Sequence, residues 1–226
     1  MEYLYETHMH TAESSGCGRN SAAEQVRAYK SRGYQGIIIT DHFINGYSTC
    51  PKSKMPWEDK MGYVVAGYIA AKEEGDDIGL DVFLGWEFTV RGSDFLTYGL
   101  DWDFLMENPD LHKLDVPEYS DLVRRSGGFL AQAHPYRKQP YIEYQLPVDH
   151  KYVDAIEVYN ASDMAVTNKK ALEFANKHNM PVQAGSDAHG TRVDFVSGIK
   201  MKKRARDIYD IIDAIMNREI GLILPG

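Results

Sequence analysis

What most constrains this chain is a junction that recurs along it. Short apolar runs alternate with longer segments of helical period, and each run stops at residues able to hold a proton or a metal. "YLYET" leads to His8 and His10, "GIIIT" to Asp41 and His42, "VFLGW" to Glu87, and "FLAQA" to His134; "DAIEV" contains Glu157 and precedes Asn160, and "PVQAG" precedes Asp187 and His189. "YQGIIITDH" is almost continuously apolar, as expected of a strand buried on both faces. Between the runs, "NSAAEQVRAYKSRG" predicts a helix that Asn20 or Ser21 can cap and Gly33 can stop. Further helices are predicted from Trp57 to Glu74, over "EYSDLVRRSGG", over "DMAVTNKKALEFANKHN" and from Asp207 to Asn217, with "DFLTYGL" as an additional strand. Strand and helix alternate with no linker-like break and no internal repeat. The expectation is a parallel α/β fold in a single domain over residues 1–226. A closed barrel is favoured over an open sheet, because the polar residues sit at C-terminal strand ends, which a barrel gathers on one face.

Of eight histidines, five (His8, His10, His42, His134 and His189) fall at these junctions, whereas His112, His150 and His178 do not. One histidine at a strand end is ordinary. Five, with several carboxylates, would concentrate polar and negative groups at a prohibitive desolvation cost unless cations shared the space. Residues i and i+2 of an extended chain point the same way, so His8 and His10 can meet one ion while Met9 packs elsewhere, and Asp187 pairs with His189 by the same rule. A mixture of imidazole and carboxylate suits zinc, manganese or iron(II).

The bulk properties narrow the partners. With 226 residues the chain can bury a core without metal staples, so stability alone does not require a metal. A formal net charge of −8 should repel polyanions, which makes nucleic acid an unlikely partner. The basic run "KMKKRAR" at 200–206 reads as a solvated approach to the last helix. No apolar stretch approaches the roughly 18 residues of a membrane span. With only Cys17 and Cys50 present and no secretion-signal pattern, a cytoplasmic location is expected. GxSxG, a phosphate-cradling GxxxxGK(S/T) and a Ser-His-Asp arrangement are all lacking. Oligomeric state is not legible.

"HMHT" at 8–11, "TDH" at 40–42, "GWE" at 85–87, "AHP" at 133–135 and "GSDAH" at 185–189, taken in order, resemble the motifs of the PHP family, named for polymerase and histidinol phosphatase. The resemblance implies a distorted (β/α)7 TIM-like barrel holding two or three divalent ions (zinc, manganese or iron) at its C-terminal strand ends. His8, His10, Glu87 and Asp187 would hold one ion; Glu87 would bridge to a second shared with His134; His42 and His189 would hold a third. Two departures stand out. The loop after the first motif, "AESSGCG", offers Glu13 as the preferred extra ligand of the third ion, or Cys17 by position. After the bridging glutamate, "DFLTYGLD" contains no histidine, leaving Asp101, the more distant His112 or water.

The implied activity is hydrolysis of a small phosphorylated substrate, a phosphomonoester such as histidinol phosphate or a nucleotide, by a metal-activated water. Glu87, Asp187, His189 and Arg137 are the expected catalytic residues, with Arg137 meeting phosphate by paired hydrogen bonds. Asp41 is expected to orient a histidine, Asn160 and Arg192 to line the pocket, and Tyr47, Tyr136 and Tyr141 to grip a leaving group. Two alternatives stay open: a non-catalytic metal-binding or sensing domain, and an amidohydrolase-like metal hydrolase, for which no strand-end lysine is evident.

Overall fold

A computed structural model describes residues 2–140, 142, 146–192 and 196–225. The predicted junctions are strand ends. β1 (Tyr3–Glu6), β2 (Gly36–Ile39), β3 (Asp81–Val90), β4 (Ser93–Tyr98), β5 (Phe129–Gln132), β6 (Ala155–Asn160), β7 (Val182–Gly185), β8 (Gly198–Met201) and β9 (Ile220–Ile223) form one sheet in the order β7-β6-β5-β4-β3-β2-β1-β8-β9. Beyond the named strands, Met9 bridges to Ala188 in parallel, and His10 N donates to Ala188 O at 2.9 Å. That bridge brings the extension of β7 back to the extension of β1, so seven strands curl into a nearly closed, TIM-like barrel.

Helices α1 (Ala22–Ser31), α2 (Trp57–Ile78), α3 (Trp102–Glu107), α4 (Val116–Arg125), α5 (Ala165–Lys177) and α6 (Ile208–Met216) connect the strands. α1 starts at Ser21, whose side chain accepts from Glu24 N while Glu24 reaches back to Ser21 N. α4 repeats this capping box with Asp115 and Glu118, and Asp207 caps α6. β2 is buried at all four residues, in line with its unbroken apolar run. No helix among the described residues is long and apolar enough to cross a membrane.

The barrel departs from a simple parallel (β/α)7 pattern. β3 and β4 are joined by Arg91 and Gly92, which have φ of 50° and 83°, and pair antiparallel from Val90↔Ser93 back to Gly85↔Tyr98. A two-residue turn with positive φ at both positions matches strand twist and closes a tight hairpin, leaving no room for a crossover helix. β4 therefore runs against its neighbours. β8 pairs antiparallel with β1 (Tyr3↔Met201), and β9 antiparallel with β8, so the sheet has nine strands rather than seven.

The apolar interior falls into three clusters, one around Trp86, Phe88 and Phe43, one around Tyr5, Tyr98 and Ile211, and one around Met9, Val26 and Ile37. Met9 is fully buried in the third, as the alternation between His8 and His10 requires.

Candidate metal centre

The extension of β1 runs beside that of β2, where Thr40 N donates to Met9 O at 3.1 Å, and the extension of β2 runs beside β3, where Glu87 N donates to Asp41 O at 3.0 Å and Phe43 N to Glu87 O at 2.8 Å. These backbone links set His10, His42 and Glu87 side by side. Ring centroids lie 5.3 Å apart for His8 and His10, 4.5 Å for His10 and His42, 4.6 Å for His10 and His189, and 5.7 Å for His8 and His134. Among the described residues, three overlapping groups have donor atoms within 4.8 Å of one another: His8 with Glu87 and His134, His8 with His10 and Asp187, and His10 with Cys17, His42 and His189.

The hydrogen-bond network fixes which ring nitrogens face inward. Ser15 Oγ donates its single proton to Asp41 Oδ1 at 2.6 Å and accepts from His42 N at 3.0 Å, so its 3.2 Å contact with His10 Nδ1 is one it accepts. His10 therefore carries its proton on Nδ1, and the lone pair on Nε2 points at Asp187 Oδ1, 3.1 Å away, and Glu87 Oε2, 3.5 Å away. Burial first and His42 second depress the pKa of His10 to about 3, so protonation does not relieve this meeting of lone pairs. A cation does.

His8 is oriented the same way. Its Nδ1 lies 3.0 Å from Glu157 Oε1, while the other oxygen of Glu157 accepts from His134 N at 2.9 Å and Asn160 Nδ2 at 3.0 Å. A carboxylate behind an imidazole is the usual support of a metal-binding histidine. His8 Nε2 has no hydrogen-bond partner, 3.4 Å from Glu87 Oε1 and 3.6 Å from Asp187 Oδ1. His42 Nδ1 and Glu87 Oε2 approach to 2.8 Å without the alignment of a hydrogen bond, and both are unsatisfied. Buried polar atoms without partners are rare and costly. Here they converge on one volume, and their donor types fit divalent cations.

Neighbouring charges shift one another within the cluster. Burial works against ionisation of Glu87, but His42 and His8 hold its carboxyl well below the usual range; for Asp187, burial is overcome by His8 and Arg137. Burial also opposes a proton on His8, yet Glu157, Asp187 and Glu87 raise its pKa well above 6.5. Without an ion the site takes up a proton at His8, which binding must displace. The backbone is strained at two of the donors: His134 has φ 27° and Asp187 φ 50°. Such conformations persist where surrounding contacts over-determine them.

One glycine makes the assembly possible. A Cβ on Gly185 would lie 2.5 Å from His8 Cβ and 2.7 Å from Glu157 Oε1, so the "GSDAH" strand can back the His8–Glu157 pair only with hydrogen at that position.

The structure brings His8, His10, His42, Glu87, His134, Asp187 and His189 together, as their motifs suggested. Glu13 is elsewhere: both its oxygens accept from Ala22 N, at 3.0 and 2.9 Å, where the start of α1 favours negative charge, and Cys17 occupies the place beside His42 and His189. Asp101 caps α3 through Phe104 N, and His112 stacks on Trp57, so neither approaches His134. Asp94 does. Its Oδ2 lies 3.9 Å from His134 Nε2, and burial and Glu87 push its pKa up to about 6. It stood in the same "DFLTYGLD" segment, but only the hairpin turn shows that it pairs with Thr89, two residues beyond Glu87 on β3, whose Oγ1 donates to Asp94 Oδ1 at 2.6 Å. Asp41 orients His10 through Ser15, and also accepts from Thr11 N at 2.7 Å.

Arg137 ion-pairs with Asp187 Oδ2 at 2.6 Å and donates to Asn160 Oδ1 at 3.1 Å. It lines a cleft of about 590 Å³ with Lys138, Ser162, Asp163 and His189. A second cleft of about 450 Å³, sharing Ser162 and His189, holds Arg19, Asn20 and Arg192. The mouth of the site is cationic in a chain that is acidic overall. Tyr47 is largely exposed, Tyr136 packs against the Trp86 cluster, and Tyr141 lies outside the described residues.

Comparison with known proteins agrees with this architecture. Residues 166–192, which include Asp187 and His189, match the family described as PHP-associated. An uncharacterized protein of Methanocaldococcus jannaschii is 34% identical over 112 residues, 46% of this chain and 45% of that protein. A two-domain protein of Bacteroides vulgatus, described as containing a predicted PHP-like metal-dependent phosphoesterase, superposes with a TM-score of 0.71 at 17% identity over 99% of this chain and 65% of its own. The lesion-specific endonuclease EndoQ of Pyrococcus furiosus superposes at 0.66 with 12% identity, over 99% of this chain and 58% of its own. The chain thus spans about half to two thirds of these proteins, and at such identities the structural likeness is one of fold. The fold is similar to that of PHP-type barrels, and the PHP-associated match is confined to residues 166–192.

Proposed function

We propose that this chain is a metal-dependent phosphoesterase acting on a small phosphorylated substrate, a phosphomonoester such as histidinol phosphate or a nucleotide. The observation that carries the reading is the convergence of His8 Nε2, His42 Nδ1 and Glu87 Oε2, all buried and unsatisfied, beside a cleft edged by Arg137 and Lys138. His8, His10, Glu87 and Asp187 would hold one divalent ion. Glu87, His134 and Asp94 would hold a second, and His42 with His189 a third.

Ions held there would supply positive charge to phosphoryl oxygens and acidify water in the site. The chain's own groups do the rest. Arg137, held by Asp187 and Asn160 with Asp163 3.8 Å from its Nε, lines the cleft and would be the guanidinium that an ester phosphate meets there. Glu157 and the Ser15–Asp41 pair keep the lone pairs of His8 and His10 pointing inward. Arg19 and Arg192 flank His189 and would meet a further anionic part of the substrate.

The amidohydrolase-like alternative is less favoured, because none of the strand-end motifs that carry the donor residues contains a lysine. The purified, untagged protein, stripped with chelator and reloaded with manganese, zinc or iron(II), should release phosphate from at least one member of a phosphomonoester panel and lose that activity in Arg137→Ala. Metal uptake without turnover on any ester would favour the sensing alternative.

A further inference from the structure

The outer donor group differs in kind from the inner ones. His8, Glu87 and His134, and His8, His10 and Asp187, mix imidazole with carboxylate; His10, Cys17, His42 and His189 contain no oxygen donor. Glu13, the hard ligand available in the same loop, is occupied by the first turn of α1.

The loop that carries Cys17 is held on both sides. Gly16 N donates to Tyr47 O at 2.7 Å, Gly18 N to Ser15 O at 3.0 Å, Arg19 N to His189 O at 2.7 Å, and Ser15 bridges to Ser48. These bonds bracket Cys17 and fix its sulfur among three imidazoles. The orphaned Nδ1 of His42 belongs to one of those rings. Cys50, the other free cysteine, belongs to no such group among the described residues.

We propose that Cys17 is a thiolate ligand that makes the outer position a zinc-selective anchor, set apart from inner positions whose carboxylates also accept manganese. The Cys17 sulfur with the imidazoles of His42 and His189, and water in the remaining position, form a donor set that suits a tetrahedral, borderline-soft ion, whereas manganese prefers oxygen-rich sites. The outer ion is then the first to bind zinc, the last to leave, and the one whose retention depends on a free thiol. The inference rests on the metal-centre reading.

Two readouts test it in untagged protein. In Cys50→Ser, where Cys17 is the only thiol, zinc should slow alkylation by iodoacetamide at least roughly tenfold by intact mass, because a ligated thiolate is no longer a free nucleophile. In Cys17→Ser, zinc should leave alkylation of Cys50 unchanged. Cobalt(II) should give a near-ultraviolet thiolate charge-transfer band in Cys50→Ser that is absent in Cys17→Ser, while metal analysis shows cobalt retained at the inner positions of both. Retained cobalt also shows that Cys17→Ser is folded. Metal uptake with no protection and no band overturns the thiolate proposal alone. No uptake of any ion overturns it together with the metal centre beneath it.

Discussion

The two ends of the barrel are built from similar residue types and behave oppositely. At the end where β1 begins, a groove of about 990 Å³ is lined by Lys200, Lys202, Lys203, Arg204, Arg206 and Arg218, making it larger than either arm of the cleft at the other end. Three of these cations are paired at the surface: Arg204 with Asp81 at 2.6 Å, Arg206 with Asp210 at 2.7 Å, and Lys200 with Glu2 at 3.3 Å. At the other end the carboxylates and imidazoles are buried, and several of their atoms lack partners. Charge and concavity are common to both. What distinguishes a site is polar groups kept from water and left unsatisfied by the protein itself.

The sharpest way to break this contrast is Glu87→Gln. It keeps the shape but removes the charge that faces His8, His10, His42 and His134. Turnover of the most responsive ester should fall about a thousandfold, the scale seen when one electrostatic stabiliser is lost, and metal analysis should show fewer ions. Unchanged turnover would mean that the buried cluster is not where the chemistry occurs.

Gly185→Ala attacks the same end by volume. The added methyl must displace His8 or Glu157, and overpacking of this kind costs about 1–3 kcal/mol. Denaturant unfolding should report that loss, with metal content falling alongside. Next in size is Glu157→Gln, which leaves an acceptor for His8 Nδ1 but no charge behind it. Metal affinity should weaken by about 10–100-fold in a competition titration, with the fold intact by circular dichroism.

Most of this end was legible from the strand-end histidines and carboxylates, because a β-strand's alternation and the convergence of barrel strands follow from local sequence. Asp94 and Cys17 were harder to place. Asp94 needed the Arg91–Gly92 turn, which reverses β4 and makes a segment read simply as an additional strand the hairpin partner of β3. Preferring Glu13 over Cys17 rested on donor hardness, but the competing demand came from α1, whose first free N–H drew the carboxylate away. In both cases the deciding contact was made with a backbone element, so no spacing of ligand types in the sequence could show it. β8 and β9 were missed for a related reason. They lie outside the alternating pattern, with β8 antiparallel on the edge of β1 and β9 antiparallel on β8.

A pH titration sharpens the comparison inside the first motif. His8 has a folded pKa raised above 6.5, so in metal-free protein its contribution to stability is present below pH 6.5 and is lost as pH rises through the raised value. An ion must displace that proton, so metal affinity should rise by up to about tenfold per pH unit from pH 6.5 upward until His8 is neutral, with proton release visible as a buffer-dependent heat. His10, already neutral with a pKa of about 3, adds no such dependence. A flat profile would place the proton elsewhere.

The smallest effect belongs to the opposite end. Arg204→Ala removes a guanidinium that holds Asp81 through two hydrogen bonds, at 3.0 and 2.6 Å, but whose side chain is 55% exposed. Exposed pairs of this kind contribute at most about 1 kcal/mol, and salt screens them. The denaturation midpoint should move slightly, by less in high salt, while phosphate release and metal content stay at the wild-type level. A loss of turnover in Arg204→Ala near that of Glu87→Gln would join the two ends functionally and remove the basis for separating a paired surface groove from an unsatisfied buried centre.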